Sequence, residues 1–326
     1  MKSTAVAGAN IALIKYWGNR DEALRLPMNG SIALTLDRLT TITTVSFDGD
    51  LERDVIHLDG VEPHHEANAR VVAHLDRIRR LAGQERGARV ISRSNFPSGA
   101  GLAASASGFA ALTLAATSAL GLDLEERELT SLARLGSGSA ARSMLGGFVE
   151  WVAGSRHEDS YAYQLAPPDH WALCDCVAVV GETRKPVGSA DGHRLAATSP
   201  LHAARVRQAE ADIEPMRRAI QARDLPELGS LMERDALSMH GVMMTSDPSL
   251  LYWMPGTVAV MAAVRRWRAE GPGAWFTIDA GPNVHVFVSE DEADEAAGRL
   301  RRIEGVRRVI QARPGERARL SDEHLA

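Results

Sequence analysis

Two rhythms of apolar and polar residues divide the chain into strand-forming and helix-forming stretches. Residues 4–14 are small and apolar, and 31–47 (SIALTLDRLTTITTVSF) mix alternation with β-branched residues, so the two read as paired strands. VIHLDGVE at 55–62 has the form of a hairpin turning at Asp59-Gly60. Ala69, Val72, Ala73, Leu75, Ile78 and Leu81 share a 3.6-residue period and predict a helix over 67–81. A short strand, ARVISRSNF, then leads into PSGAGLAASASGFAALTLAATSAL, which begins as a loop and continues as a small-residue helix burying Leu102, Phe109, Leu112 and Leu120.

A helix at 124–135, a small-residue turn (GSGSAARS) and a strand (GGFVEWVAG) follow. Residues 160–170, which contain Pro-Pro and polar residues, read as the connection between domains. Beyond it come a buried strand (CDCVAVV), a loop at 181–193, helices at 194–222, 225–241 and 256–270, and the strands AWFTIDAG and VHVFVS around a turn at Gly281-Pro282-Asn283. From 290 the pattern gives a helix and a last strand, VRRVIQARP. Without strict βαβ alternation, this order favours a two-domain α+β architecture over a doubly wound sheet.

The 326 residues, 45% of them hydrophobic, suffice for one large or two ordinary domains. With 37 basic against 42 acidic residues and a net charge of −5, a general nucleic-acid or anionic-membrane binder is disfavoured. MKSTAVAGANIALIKYW is too short and interrupted for a signal peptide, and no window approaches the ~18 apolar residues of a membrane span. Cys174 and Cys176, two apart in a strand, share a face and are sterically unsuited to a disulfide, which predicts a reduced, cytoplasmic protein. Lys2, Lys15 and Lys185 are the only lysines, so 34 of the 37 basic residues are arginines.

Four segments carry chemistry. Pro97 to Ala106 (PSGAGLAASA) combines glycines with the start of a helix whose free N–H groups suit an anion, and Ser105 is placed to reach a phosphate or its Mg²⁺; a tightly packed helix start is the structural alternative. Gly136 to Arg142 (GSGSAAR) sets Ser137 and Ser139 beside an arginine, either as a helix cap or as a grip on a carboxylate or phosphate. Lys15 follows an apolar run and precedes two aromatics in a chain that otherwise avoids lysine; a compact desolvated ammonium suits charge neutralisation. Asp279 ends an apolar strand before a Gly-Pro turn, as a turn cap or as a desolvated catalytic carboxylate.

Together these segments resemble the mevalonate diphosphate decarboxylases, a branch of the GHMP small-molecule kinases. The matching stretches are NIALIKYWGNRDEALRLPMNGSIALTL, SRSNFPSGAGLAASASGFAAL, GSGSAARSMLGGFVEW, SADGHRLAATSPL and WFTIDAGPNVHVF. The resemblance implies a GHMP kinase fold. Residues 1–170 would form a domain like ribosomal protein S5 domain 2 with the ATP phosphate loop, and 171–326 a ferredoxin-like domain. It also implies a cleft between them, a homodimer, and ATP with Mg²⁺ as cofactors. In that family ATP phosphorylates a tertiary 3-hydroxyl, and phosphate and CO₂ then leave an alkene.

Position by position, Asp279 matches the catalytic aspartate, Lys15 the lysine beside it and Arg142 the arginine on the substrate carboxylate. Ala12, Tyr16, Trp17, Asn19, Ser137, Ser139 and Ser189 fall on the substrate side. Ser94, Asn95, Pro97, Gly99, Gly101, Leu102, Ala103, Ser105 and His193 fall on the nucleotide side. Ala104 replaces the first serine of the family's usual pair, removing one hydroxyl.

Two departures bear on the substrate. Where diphosphate enzymes read Tyr-Trp-Gly-Lys-Arg-Asp, this chain has Asn19, and the Arg that follows Ser189's counterpart in bacterial members is Ala190 here. Losing two cations costs a diphosphate more than a monophosphate. The expected substrate is therefore mevalonate 5-phosphate, giving isopentenyl phosphate. The alternatives are the 5-diphosphate, with Arg20, Arg184, Lys185, His193 or Arg194 compensating, a mevalonate 3-kinase, and an inactive ligand sensor.

Overall fold

The structure, a computed structural model, describes all residues except 98–102, 184–186 and 271–272. The first half contains β1 (Lys2–Ile14), the short pair β2 (Asn19–Asp21) and β3 (Leu26–Pro27), β4 (Ser31–Asp48), β5 (Val55–Leu58), α1 (His65–Ala82), β6 (Gly87–Ser94), α2 (Ala104–Ala119), α3 (Glu126–Gly136), the single turn α4 (Ala140–Ser143), β7 (Phe148–Trp151) and β8 (Ala162–Ala166). The second contains β9 (Leu173–Val179), α5 (Ser189–Leu195), α6 (His202–Ala222), α7 (Leu225–Met244), α8 (Pro255–Glu270), β10 (Trp275–Thr277), β11 (Val284–Ser289), α9 (Ala293–Leu300), β12 (Arg308–Ala312) and β13 (Arg319–Ser321).

Strands β13-β1-β4-β6-β5 form one sheet, with β7 on β4 and β8 on β7; β10-β11-β9-β12 form the other. As expected, 4–14 and 31–47 pair, antiparallel from Lys2↔Ser46 to Ile14↔Ile32, with a register shift between Gly8 and Asn10. Against the first sheet, α2 packs through Phe109, Ala110, Leu112 and Ala116, its small residues allowing close approach. A second core lies between the other sheet, α8 and α9. A third cluster joins the halves, bringing Ile11, Leu13 and Leu34 of the first sheet together with Val177, Met216 and Phe287. The first sheet also receives β13, whose Leu320 lies opposite Ala5.

Three expectations need correction. Asp59 and Gly60 do turn, with φ of 52° and 84°, but only Val61 returns to bridge Leu58; β5 instead pairs in parallel with β6. Residues 162–166 are a strand, not a connection: Ala162 and Ala166 face inward, and the chain leaves the sheet only at Pro167-Pro168. The helix expected from 194 starts at His202, because Pro200 holds Ser199 extended (ψ 132°), and α5 is a separate short helix. Cys174 and Cys176 share a face as free thiols, 3.8 Å apart.

Candidate active site

A cavity of about 380 Å³ opens between the halves, and both Lys15 and Asp279 line it. Lys15 stands just beyond β1 and is 1% exposed. Its Nζ donates to the Ala12 carbonyl and to Asp279 Oδ1, both at 2.7 Å. The Lys15 backbone is strapped from both halves: its N–H donates to Asp235 Oδ2 (2.5 Å), and its carbonyl accepts from Arg205 Nη2 (2.5 Å) of the second half and from Asn29 Nδ2 (2.9 Å) of the first. Arg205 and Asp235 form a buried ion pair at 3.2 Å. Neither was singled out from sequence, nor was Asn29.

Asp279 follows β10, its carbonyl accepting from the Gly281 N–H (2.7 Å) and lying 3.1 Å from His240 Nε2. A carbonyl only accepts, so Nε2 carries the hydrogen; burial, reinforced by Lys15, pushes the His240 pKa down to about 4 and keeps the ring neutral. Burial opposes the charged form of Asp279, but the Lys15 ammonium, its hydrogen bond, His285 and Arg142 together hold the carboxyl below its ordinary value. Burial likewise lowers Lys15, against the pull of Asp279. Among the described residues Asp279 Oδ2 has no partner, and the side chain is 23% exposed toward the cavity.

Arg142 enters from α4. Nε donates to Asn10 Oδ1 (3.1 Å) and Nη1 to Ser31 Oγ (2.5 Å), while burial lowers its pKa to about 10. Asn10 in turn donates to the Ser139 carbonyl and Ser143 Oγ, fixing α4 against β1. Ser137 Oγ lies 3.3 Å from Ser105 Oγ and 3.5 Å from Ser139 Oγ, so three hydroxyls link α2 to α4 along one wall. Between those serines Gly138 lies against Tyr16, where a Cβ would come within 2.6 Å of the ring.

Tyr16 stacks on His193 (centroids 4.1 Å), and Trp17 packs on the same imidazole at 4.6 Å. His193 Nδ1 accepts from the Gly18 N–H at 2.9 Å, and α5 approaches so closely that a Cβ on Gly192 would come within 2.5 Å of Trp17. Ser189 and Ala190, at the start of α5, line the cavity, as does Ala12, whose carbonyl serves Lys15. Asn19 accepts from the Tyr16 hydroxyl and donates to Glu22 (3.1 Å).

On the expected nucleotide side, Ala103 caps α2 at φ 55° without a side-chain bond of its own. Ser105 lies in its first turn and borders both the cavity and an adjoining apolar recess of about 230 Å³, which Ser94 also lines. Gly99, Gly101 and Leu102, like Arg184 and Lys185, lie outside the described residues. Pro97 lines neither space. Asn95 lies away from both: its amide is engaged with Thr40 N and the Arg38 carbonyl. Two further cations on the wall, Arg25 and Arg70, were not anticipated. No group of three His, Cys, Asp or Glu suited to a metal occurs among the described residues, and no helix among them is long and apolar enough to cross a membrane.

Comparison with known proteins agrees with this geometry. The family model for a diphosphomevalonate decarboxylase-like N-terminal domain matches residues 7–162, and that for the mevalonate 5-diphosphate decarboxylase C-terminal domain matches 176–320. Diphosphomevalonate decarboxylase of Bos taurus is 38% identical over 323 residues, covering 91% of this chain and 79% of that one. Phosphomevalonate decarboxylase of Haloferax volcanii is 35% identical over 298 residues, covering 90% of each. The solved structure of MDDEF in complex with MVAPP, AMPPCP and magnesium superposes with a TM-score of 0.92 at 38% identity over 99% of both chains. The Bos taurus and Candida albicans relatives carry the diphosphate name and the Haloferax volcanii relative the monophosphate name. With two matching family models, the same α+β GHMP kinase fold and the Lys15–Asp279 pair at the cavity wall, the chain belongs to the diphosphomevalonate decarboxylase family and is an ATP-dependent carboxy-lyase.

Proposed function

We propose that this enzyme phosphorylates the tertiary 3-hydroxyl of a 5-phosphorylated mevalonate and then releases phosphate and CO₂, with the 5-diphosphate as the substrate most relatives' names support. The observation that carries the reading is the Lys15–Asp279 pair at 2.7 Å, with one carboxylate oxygen left toward the cavity. Asp279 Oδ2 accepts the hydrogen of the 3-hydroxyl. Held below its ordinary pKa, the carboxylate is ionised at neutral pH and a weak base, which suits orienting the hydroxyl and taking its proton late in a loose phosphoryl transfer. Lys15 keeps that carboxylate charged and offsets negative charge gathering at the oxygen. The part of Arg142 not bonded to Asn10 and Ser31 grips the C1 carboxylate. When the C1–C2 bond breaks, its electron pair forms the C2=C3 bond while the C3–O bond to phosphate breaks.

The residues present fit Mg²⁺ and ATP: the α2 N-terminus, whose N-cap Ala103 has no side chain to cap it, and the Ser105–Ser137 hydroxyls would meet the phosphates, and the apolar recess under Leu58, Val71 and Phe109 would take the base. Bound Mg·ATP supplies the phosphoryl group that makes the tertiary oxygen a good leaving group. With no carboxylate cluster of its own among the described residues, the protein would hold the metal through the phosphates and Ser105.

A second reading, the 5-monophosphate, has a specific observation behind it: position 19 is a neutral amide already bonded to Tyr16 and Glu22, and position 190 is alanine. The test is kcat/KM for mevalonate, its 5-phosphate and its 5-diphosphate, following ADP and CO₂ together. The first reading requires CO₂ with ADP and the diphosphate preferred; a reversed preference selects the second, and ADP without CO₂ overturns both. The reading carries with it a domain boundary near residue 170 and a homodimer, checked by limited proteolysis and light scattering.

A further inference from the structure

We infer that His240 is a positioning residue for the reaction: by donating its Nε2 hydrogen to the Asp279 carbonyl, it fixes the strand-end turn so that Oδ1 stays on Lys15 and Oδ2 stays toward the cavity. The inference deepens the decarboxylase reading above and rests on it. Asp279 lies beyond the last paired position of β10, Thr277↔His285, so no strand ladder holds its peptide. Its carbonyl accepts from the Gly281 N–H at 2.7 Å and from His240 Nε2 at 3.1 Å. The first bond is internal to the turn, and the second ties the turn to α7.

That helix addresses both members of the reacting pair. Asp235 Oδ2 accepts the Lys15 N–H, and His240, on the same helix, donates at Asp279. Strand β10 has a neighbour only on the β11 side, and its Phe276 N–H is taken up by Glu233 Oε1 of α7 at 3.1 Å. One helix therefore sets the ends of β1 and β10, which come from different halves of the chain, against each other. Holding reacting groups in register in this way lowers a barrier without touching the substrate.

His240 is itself held, 1% exposed and with its ring 5.1 Å from that of Trp253. Burial keeps the imidazole neutral at physiological pH, so it offers a hydrogen without a charge. A cation in its place would be repelled by Lys15 and would compete for Asp279, whereas a neutral donor fixes the backbone and leaves the ion pair alone. The charged and titratable groups that face Asp279 are Lys15 beyond β1, Arg142 on α4, His240 on α7 and His285 on β11, the last paired with Asp175 at 2.6 Å.

The competing role is packing beneath Trp253, and two amides separate it from positioning. A glutamine can bring an N–H close to where Nε2 lies, and an asparagine falls short of it. Steady-state kinetics of His240→Gln, His240→Asn and His240→Leu, with mevalonate 5-phosphate, mevalonate 5-diphosphate and ATP each varied, should separate kcat from KM. His240→Leu and His240→Asn are expected to lower kcat about tenfold to a hundredfold, with every KM within about threefold, and His240→Gln to restore most of the loss. Equal kcat in His240→Gln and His240→Asn, or a loss confined to KM, overturns the inference. If His240→Leu does not fold, the contrast between the two amides decides. Carbon-13 NMR titration of the Asp279 carboxyl keeps this apart from the decarboxylase reading, which fails if the native enzyme releases CO₂ from neither substrate. In His240→Asn a carboxyl loosened from Lys15 is left to the effect of burial and should titrate about one pH unit higher than in the native protein. An unmoved titration refutes the positioning role whatever the substrate proves to be.

Discussion

The two ends of the cavity handle charge in opposite ways. Around Lys15 the charged side chains are held by short contacts within the protein: the ammonium by Asp279, the Arg205–Asp235 ion pair by the Lys15 backbone, and Arg142 by hydrogen bonds to the neutral Asn10 and Ser31. Elsewhere on the wall Arg25 and Arg70 are tethered to the Leu135 and Gly136 carbonyls, with no carboxylate at ion-pair distance among the described residues. A centre that must reorganise little during a reaction is best built with its dipoles set in advance. A centre that must recognise a charged ligand gains from leaving its own charge unsatisfied until the ligand arrives.

The sharpest way to break this comparison is to remove a charge from the Lys15 end. Asp279→Asn should lower kcat by about 10²- to 10⁴-fold, with the substrate KM changing far less. Coupled ADP and CO₂ assays read both, and a variant that loses only substrate affinity would move Asp279 to the recognition end. Asp235→Ala leaves Arg205, 2% exposed, without its ion partner and should cost about 3–5 kcal/mol of stability by denaturant titration, an effect absent in Arg25→Gln, whose side chain has no ion pair to break among the described residues.

A finer probe is the pH profile. Because Asp279 is held below its ordinary value mainly by Lys15, native activity should persist as pH falls until the carboxylate protonates below that value. In Lys15→Met the largest remaining influence is burial, which raises the pKa, so the acid limb of log kcat should move to higher pH. An acid limb that stays in place would show that Lys15 does not set the charge of Asp279. Smallest is Asn19→Lys, expected to raise diphosphate turnover relative to monophosphate severalfold by adding a cation near Tyr16; an unchanged ratio removes the argument from position 19.

Which of these residues could be read from sequence follows from how local their signals are. Lys15 was visible because lysine is nearly absent from the chain, and Asp279 because it interrupts an apolar strand before a rigid turn. The long β1–β4 pairing was legible from alternation, and β8 was not, because Pro167-Pro168 drew attention to a break that falls just after it. Arg25, Arg70 and Arg205 were hidden among 34 arginines, most of which look like solvated helix faces. Their roles arise only when the carbonyls of α3, or a buried aspartate on α7, meet them across the fold, and no spacing along the chain encodes that meeting. Asn95, conversely, sits beside the expected phosphate loop in sequence yet closes a local clasp with residues 38–40.

The pairing of β13 with β1 affects how the molecule is made. The outer edge of the first sheet comes from residues 319–321, which leave the ribosome after every strand and helix of the second half. During synthesis β1 must therefore wait with an open edge on the side away from β4, a template for stray strands. Truncating the chain before Arg319 would hold the protein in that immature state, and its first symptom should be self-association and not a loss of chemistry at Asp279.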